Sequence, residues 1–100
     1  MCPDAHEADS PVVFRVHAVQ RMFERGISVG HVHQVLANGE VIEEYPDDYP
    51  YPSRLMLGWI ATRPLHVVAA IKPDDHEVII ITVYEPDKAL WEPDFRRRKL

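Results

Sequence analysis

Cysteine is almost absent from this chain: Cys2 stands alone, so no internal disulfide can form. A single thiol in a leading segment makes a reducing cytoplasm the simplest expected address. Long hydrophobic runs are missing as well. The longest, such as VVAAI at 67–71, fall far short of the roughly 20 apolar residues that cross a membrane, so no membrane partner is expected. Nor does the chain open on a positive-then-apolar leader, since MCPDAHEADS is polar and acidic. Excess positive charge is lacking too. The net charge is −5 with the six histidines neutral, whereas nucleic-acid binders usually carry a basic footprint. Base is local here: Arg15, Arg21 and Arg25 come early, and Arg96, Arg97, Arg98 and Lys99 crowd the end. That distribution permits RNA contact without indicating it.

What is present suits one domain. Apolar residues make up 46% of 100 positions and charged ones 27%, enough to bury somewhat over about 60% of the unfolded surface. Residues 1–11 read as a disordered lead-in and 12–100 as a single α+β domain. VVFRV reads as a short strand or an extended lead into a helix. The first helix runs from about His17 to Arg25, with Ala18, Met22 and Phe23, and Val19 beside them, as its buried face. Gly26 suits the left-handed position after a helix, from which Ile27 can fold back on Met22 or Phe23. Ser28 is placed to cap a second helix whose apolar positions are Val29, Val32, Val35 and Leu36, ended by Asn38-Gly39. So tight a turn predicts an α-hairpin.

From Glu40 the period changes to that of strands. EVIEEY, RLMLGWI, PLHVVAAI and EVIIITVYE read as four strands; PDDYPYPS separates the first two, and Pro73-Asp74-Asp75 supplies the last turn. A short helical turn is expected in the tail, docked by Leu90, Trp91 and Phe95. The fold class is therefore α+β, an N-terminal α-hairpin packed on one face of an antiparallel sheet of about four strands.

Alternation splits each strand into two faces. Leu55, Leu57, Trp59, Leu65, Val67, Ala69, Ile71, Ile79, Ile81 and Val83 form a wholly apolar set expected under the helices. Arg54, Met56, Gly58, His66, Val68, Ala70, Val78, Ile80, Thr82 and Tyr84 form the other, which carries the polar groups. A turn at 73–76 brings His66 near Thr82 and Tyr84. Arg54, by strand rise alone, sits about 20 Å from His66.

With these elements drawn, HAVQRMFERGIS, VLANGEVIEEYPDDYPYPSRLMLG, RPLHVV, IITVYEPD and a following Trp91 together resemble the bacterial domain-of-unknown-function 4258 family, from about Phe14 to Trp91. That resemblance implies the fold of the RelE/ParE-like toxins and a toxin component of a bacterial toxin–antitoxin pair. Its expected activity is a metal-independent endoribonuclease acting on RNA by 2′-hydroxyl attack. The implied partners are an antitoxin protein of zinc-finger or helix-turn-helix type and RNA or the ribosome. The motif residues carried over are His17, Arg21, Arg25, Arg54, His66 and Tyr84.

Such cleavage needs a base, an acid and cations for the extra phosphate charge. His66 is the first choice for the proton, with Tyr84 as donor or stacking ring and His17 as a second carrier. Arg21, Arg25 and Arg54 would grip phosphate, and Tyr45, Tyr49 and Tyr51 offer stacking surfaces. Each has a plainer reading beside this one: a satisfied sheet histidine, solvated arginines, a packed tyrosine, a stiff loop over a sheet edge, a frayed basic end. Metal is not expected. His31 and His33 point about 200° apart on a helix, and no four ligands stand at zinc spacing. No cofactor is implied. The alternative function is a non-catalytic protein-binding module or a structural homodimer of the same fold.

Overall fold

The computed structural model describes residues 11–73 and 76–99; residues 1–10 of the expected 1–11 lead-in, and Asp74-Asp75 of the expected last turn, lie outside the described residues. Chain order is β1 (Val12–Phe14), α1 (Val16–Arg25), α2 (Val29–Asn38), β2 (Glu40–Tyr45), β3 (Ser53–Ile60), β4 (Arg63–Lys72) and β5 (Glu77–Tyr84).

The α-hairpin forms for local reasons. Gly26 takes φ +67°, a conformation that costs a residue without Cβ little. The Ile27 amide then reaches the Met22 carbonyl at 2.8 Å, and Ile27 is buried. The Ser28 hydroxyl accepts from the His31 amide at 3.1 Å while His31 Nδ1 accepts from the Ser28 amide at 3.2 Å. This is a reciprocal cap with histidine in the place more often held by Glu or Gln. α1 begins at Val16, after Arg15, whose side chain makes no capping bond. At its other end the Arg63 guanidinium donates to the carbonyls of Arg25 and Gly26 and ion-pairs with Glu85 at 3.1 Å. A cation there meets the partial negative charge of the helix terminus.

The sheet has five strands in the order β1-β5-β4-β3-β2. β2 to β5 form the expected antiparallel meander. VVF is a genuine strand, and it pairs parallel with Val78–Ile80 of β5. Beyond it the chain turns into α1, tied by the Arg15 amide to the Ile80 carbonyl at 3.1 Å.

The helices cover Met56, Leu65, Val67, Ala69, Ile80 and Val83, packed with Ala18, Met22, Ile27, Val32 and Val35. Two expectations about faces are corrected. Leu55 and Leu57 lie on the other face, with Trp91 and Phe95. The two-residue turn Ala61-Thr62 sets Leu57 directly opposite His66, and directly paired residues share a face. In β5 the register slips between Val68↔Thr82 and Ala69↔Ile80. The extra residue, Ile81, reverses the alternation below it. Val83 thus faces the helices as expected, but so do Ile80 and Val78.

Two α1 residues expected in the core are also outside it: Val19 and Phe23 are exposed, Phe23 at 88%. Close approach of α2 to β3 occurs at Gly58, where a Cβ would stand 2.6 Å from Val35 Cγ2.

The tail makes the expected short turn, where the Leu90 and Trp91 amides donate to the Asp87 carbonyl at 2.9 and 3.1 Å, and no longer helix. Residues 91–99 form a strap closed by an isolated bridge between Trp91 and Arg98. The Glu92 amide donates to the Arg97 carbonyl and the Lys99 amide to the Leu90 carbonyl, each at 2.8 Å. Trp91 and Phe95 dock as expected; Leu90 is exposed. Among the described residues no helix is long and apolar enough to cross a membrane.

Candidate functional site

β4 places His66 on the face away from the helices, and β5 sets Tyr84 directly across from it. The strap lies over both. His66 is 0% exposed. Its Nε2 lies 2.9 Å from the Phe95 carbonyl oxygen, which can only accept, so Nε2 carries the proton and donates. Nδ1 of the neutral ring is then an acceptor, satisfied by the Tyr84 hydroxyl at 3.2 Å. The Trp91 ring stands edge-on at 4.4 Å, and the Arg98 guanidinium caps that indole 5.0 Å from its centre. Burial pushes the imidazole below its ordinary value; the Phe95 carbonyl opposes the shift, and Arg98 adds to it. Burial likewise raises the Tyr84 hydroxyl, with Arg98 pulling the other way.

This is a chemically complete arrangement. Both ring nitrogens have partners, the ring is neutral, and solvent has no contact with it. Among the described residues no buried side-chain nitrogen or oxygen lacks a hydrogen bond.

The remaining expected site residues lie elsewhere. α1 packs against β5 from the helix face, so its cationic stripe and His66 are on opposite sides of the sheet. The expected juxtaposition of the two is absent. His17 and Arg21 line a shallow hollow of about 250 Å³ with Gln20 and Glu24. Arg21 stands 3.9 Å from Glu24, an exposed pair of little energetic weight. Arg25 is exposed, and it is its backbone carbonyl that Arg63 engages. Arg54 pairs in register with Ala69, three residues along β4 from His66 and on the helix side. Strand rise makes that about 10 Å along the ladder, so β3 does return Arg54 nearer than a straight count suggests, but across the sheet. Of the loop tyrosines, Tyr49 is exposed, while Tyr45 is half-buried and donates to Glu43 at 2.7 Å.

The structure adds groups that sequence reasoning missed. The Phe95 carbonyl is a backbone atom with no residue signature. Arg96 holds Glu40 through two bonds, at 2.7 and 3.0 Å, fastening the strap to the edge strand. Opposite charges far apart in sequence give no signal of pairing. Among the described residues no three His, Cys, Asp or Glu side chains are gathered to hold a metal ion.

A family model for the domain of unknown function DUF4258 matches residues 14–85. The match spans most of the chain, and this protein belongs to that family. Neither the comparison with curated proteins nor that with solved structures returned a match.

Proposed function

We propose that the protein engages a protein partner through α1, as the toxin-type half of a toxin–antitoxin pair. One observation carries this reading. Val16, Val19 and Phe23 are all exposed, and their spacing of three and four residues sets them in one line along the helix. A large aromatic standing free in such a line is the kind of anchor that dominates protein interfaces.

The occupant is a segment of another protein that is both apolar and acidic. Residues 15–25 carry three arginines against the single Glu24, so acidic side chains flanking apolar anchors complement them. The chain's own first ten residues, MCPDAHEADS, offer no aromatic or branched apolar anchor. A second copy is disfavoured by charge, since self-pairing of α1 brings its excess of arginines against the same excess.

The test asks whether a neighbouring gene encodes a small zinc-finger or helix-turn-helix protein, and measures by calorimetry that protein's binding to the parent, Phe23→Asp and Val19→Asp. Binding by the parent and at least about 30-fold weaker binding by Phe23→Asp is the expected result. No complex with the parent, or equal affinity in both variants, overturns the reading.

A second reading is the endoribonuclease, favoured by His17 and Arg21 opening on one hollow: an imidazole for the proton beside a guanidinium for phosphate. Total RNA and ribosomes incubated without added metal test it. Cleavage by the parent, lost in Arg21→Ala and His17→Ala with the fold intact, supports it; intact RNA throughout removes it.

A further inference from the structure

We propose that the strap 91–99 is an acid-released latch, which a proton arriving at His66 frees from the sheet face that it covers. This inference is independent of how α1 is used.

The latch is held at three places. Trp91 and Phe95 pack on Leu55 and Leu57, with Ile42, Tyr45 and Val68 around them. The Phe95 carbonyl takes the His66 Nε2 proton. Arg96 grips Glu40 on the edge strand. Beyond these the Phe95 ring meets Trp59 of β3 edge-on at 5.9 Å, and the strap closes upon itself through Trp91 and Arg98. Such a segment opens more readily than the ladders of β3, β4 and β5, because fewer contacts are lost together.

Among the described residues His66 is the fully buried side chain beneath it that can gain a charge as pH falls; Tyr84 and Tyr45, half-buried beside it, have their hydroxyls pushed up and stay neutral. Leu57 faces it from β3 and contributes no charge. From β5 comes the Tyr84 hydroxyl, and from the strap the Trp91 edge with Arg98 behind it. The carboxylate that acts on this pair is Glu43 on β2, which raises Tyr84 and accepts from the Tyr45 hydroxyl.

A solvent proton can bind only at Nδ1, since Nε2 already bears one. Nδ1 then becomes a donor, so the Tyr84 hydroxyl must turn round and accept, giving up its own donated bond. The ring gains a positive charge in a sealed space shared with Arg98, with no carboxylate bonded to it. Opening the strap relieves both costs at once, because the imidazolium reaches water and Arg98 leaves with the strap. The same burial and the same Arg98 already hold the imidazole below its ordinary value in the closed state. Opening uncovers Leu55, Leu57 and the His66–Tyr84 pair, a polar-floored apolar surface.

Amide hydrogen exchange between pH 7.5 and 5.5 tests this. The reporters are the strap amides of Glu92 and Lys99, with β4 amides as the reference. After correction for intrinsic rates, strap protection is expected to fall as pH drops below about 6.5, by up to about tenfold per pH unit, while β4 protection holds. His66→Gln keeps an amide donor for the Phe95 carbonyl but cannot titrate, and it is expected to abolish the fall. Flat strap protection, loss in the strap and β4 together, or a pH response retained in His66→Gln each overturns the latch. Should that variant fail to fold, the Glu92 and Lys99 amide resonances of the parent must shift with the same midpoint as its His66 ring resonance in NMR, and a mismatch overturns the proposal equally.

Discussion

His66 Nε2 donates to the carbonyl oxygen of Phe95, twenty-nine residues further on, at 2.9 Å. That one bond joins the middle of the sheet to the C-terminal strap and engages the ring nitrogen that carries the proton. Substitution therefore reads out as stability. His66→Ala leaves the Phe95 carbonyl and the Tyr84 hydroxyl without a partner and opens a cavity, at an expected cost of about 2–4 kcal/mol in urea unfolding. A loss below about 0.5 kcal/mol contradicts the burial described.

Adjacent residues of α1 should behave in opposite ways. Met22 is packed in the core and Phe23 stands in solvent. Met22→Ala is expected to destabilise by about 2–4 kcal/mol. Phe23→Ala should stay within about 0.5 kcal/mol of the parent, its effect confined to partner binding. Denaturant midpoints of the two variants make the comparison; equal losses would place Phe23 in the core.

Gly58 is where α2 meets the sheet. An added methyl group would stand 2.6 Å from Val35 Cγ2 and 3.1 Å from Val35 Cα. The helix must lift, so Gly58→Ala is expected to cost about 1–3 kcal/mol. Val35→Ala in the same chain removes the first contact but leaves the backbone one. The double variant should therefore lose less than the sum of the single losses, measured as a double-mutant cycle.

Tyr45 contributes to the alkaline limit, together with Tyr84. Burial first, and then its hydrogen bond to Glu43, push the hydroxyl up to about 12. The fold favours the neutral phenol, so the unfolded chain gives up that proton first as pH rises above the ordinary value near 10. The contribution is complete below that pH and is lost on the way to about 12. Thermal melts across that range should fall less steeply for Tyr45→Phe than for the parent; identical slopes would contradict the assignment.

Much of the architecture was legible because it is written in short-range chemistry. Gly26, Ile27 and Ser28 specify the helical turn through backbone conformation and capping, which depend on residues only a few positions apart. The change of period after Glu40 marks the meander, and the position of the last turn brought His66 to Tyr84. Only the fold could decide which side of each strand faces the helices. A single inserted residue, Ile81, reverses alternation, and a two-residue turn matches Leu57 with His66.

Whether a residue is buried is likewise a property of what comes to lie upon it. Met22 and Phe23 have the same claim to the core by hydrophobicity, and the approach of β5 admits only one. His66 was recognisable as a proton carrier from its type alone, but its neutrality comes from a strap whose key atom is a main-chain oxygen. Composition and spacing thus determined the elements and their order. Tertiary contact decided which groups solvent can reach, because burial and desolvation arise between segments distant along the chain, and no local pattern encodes them.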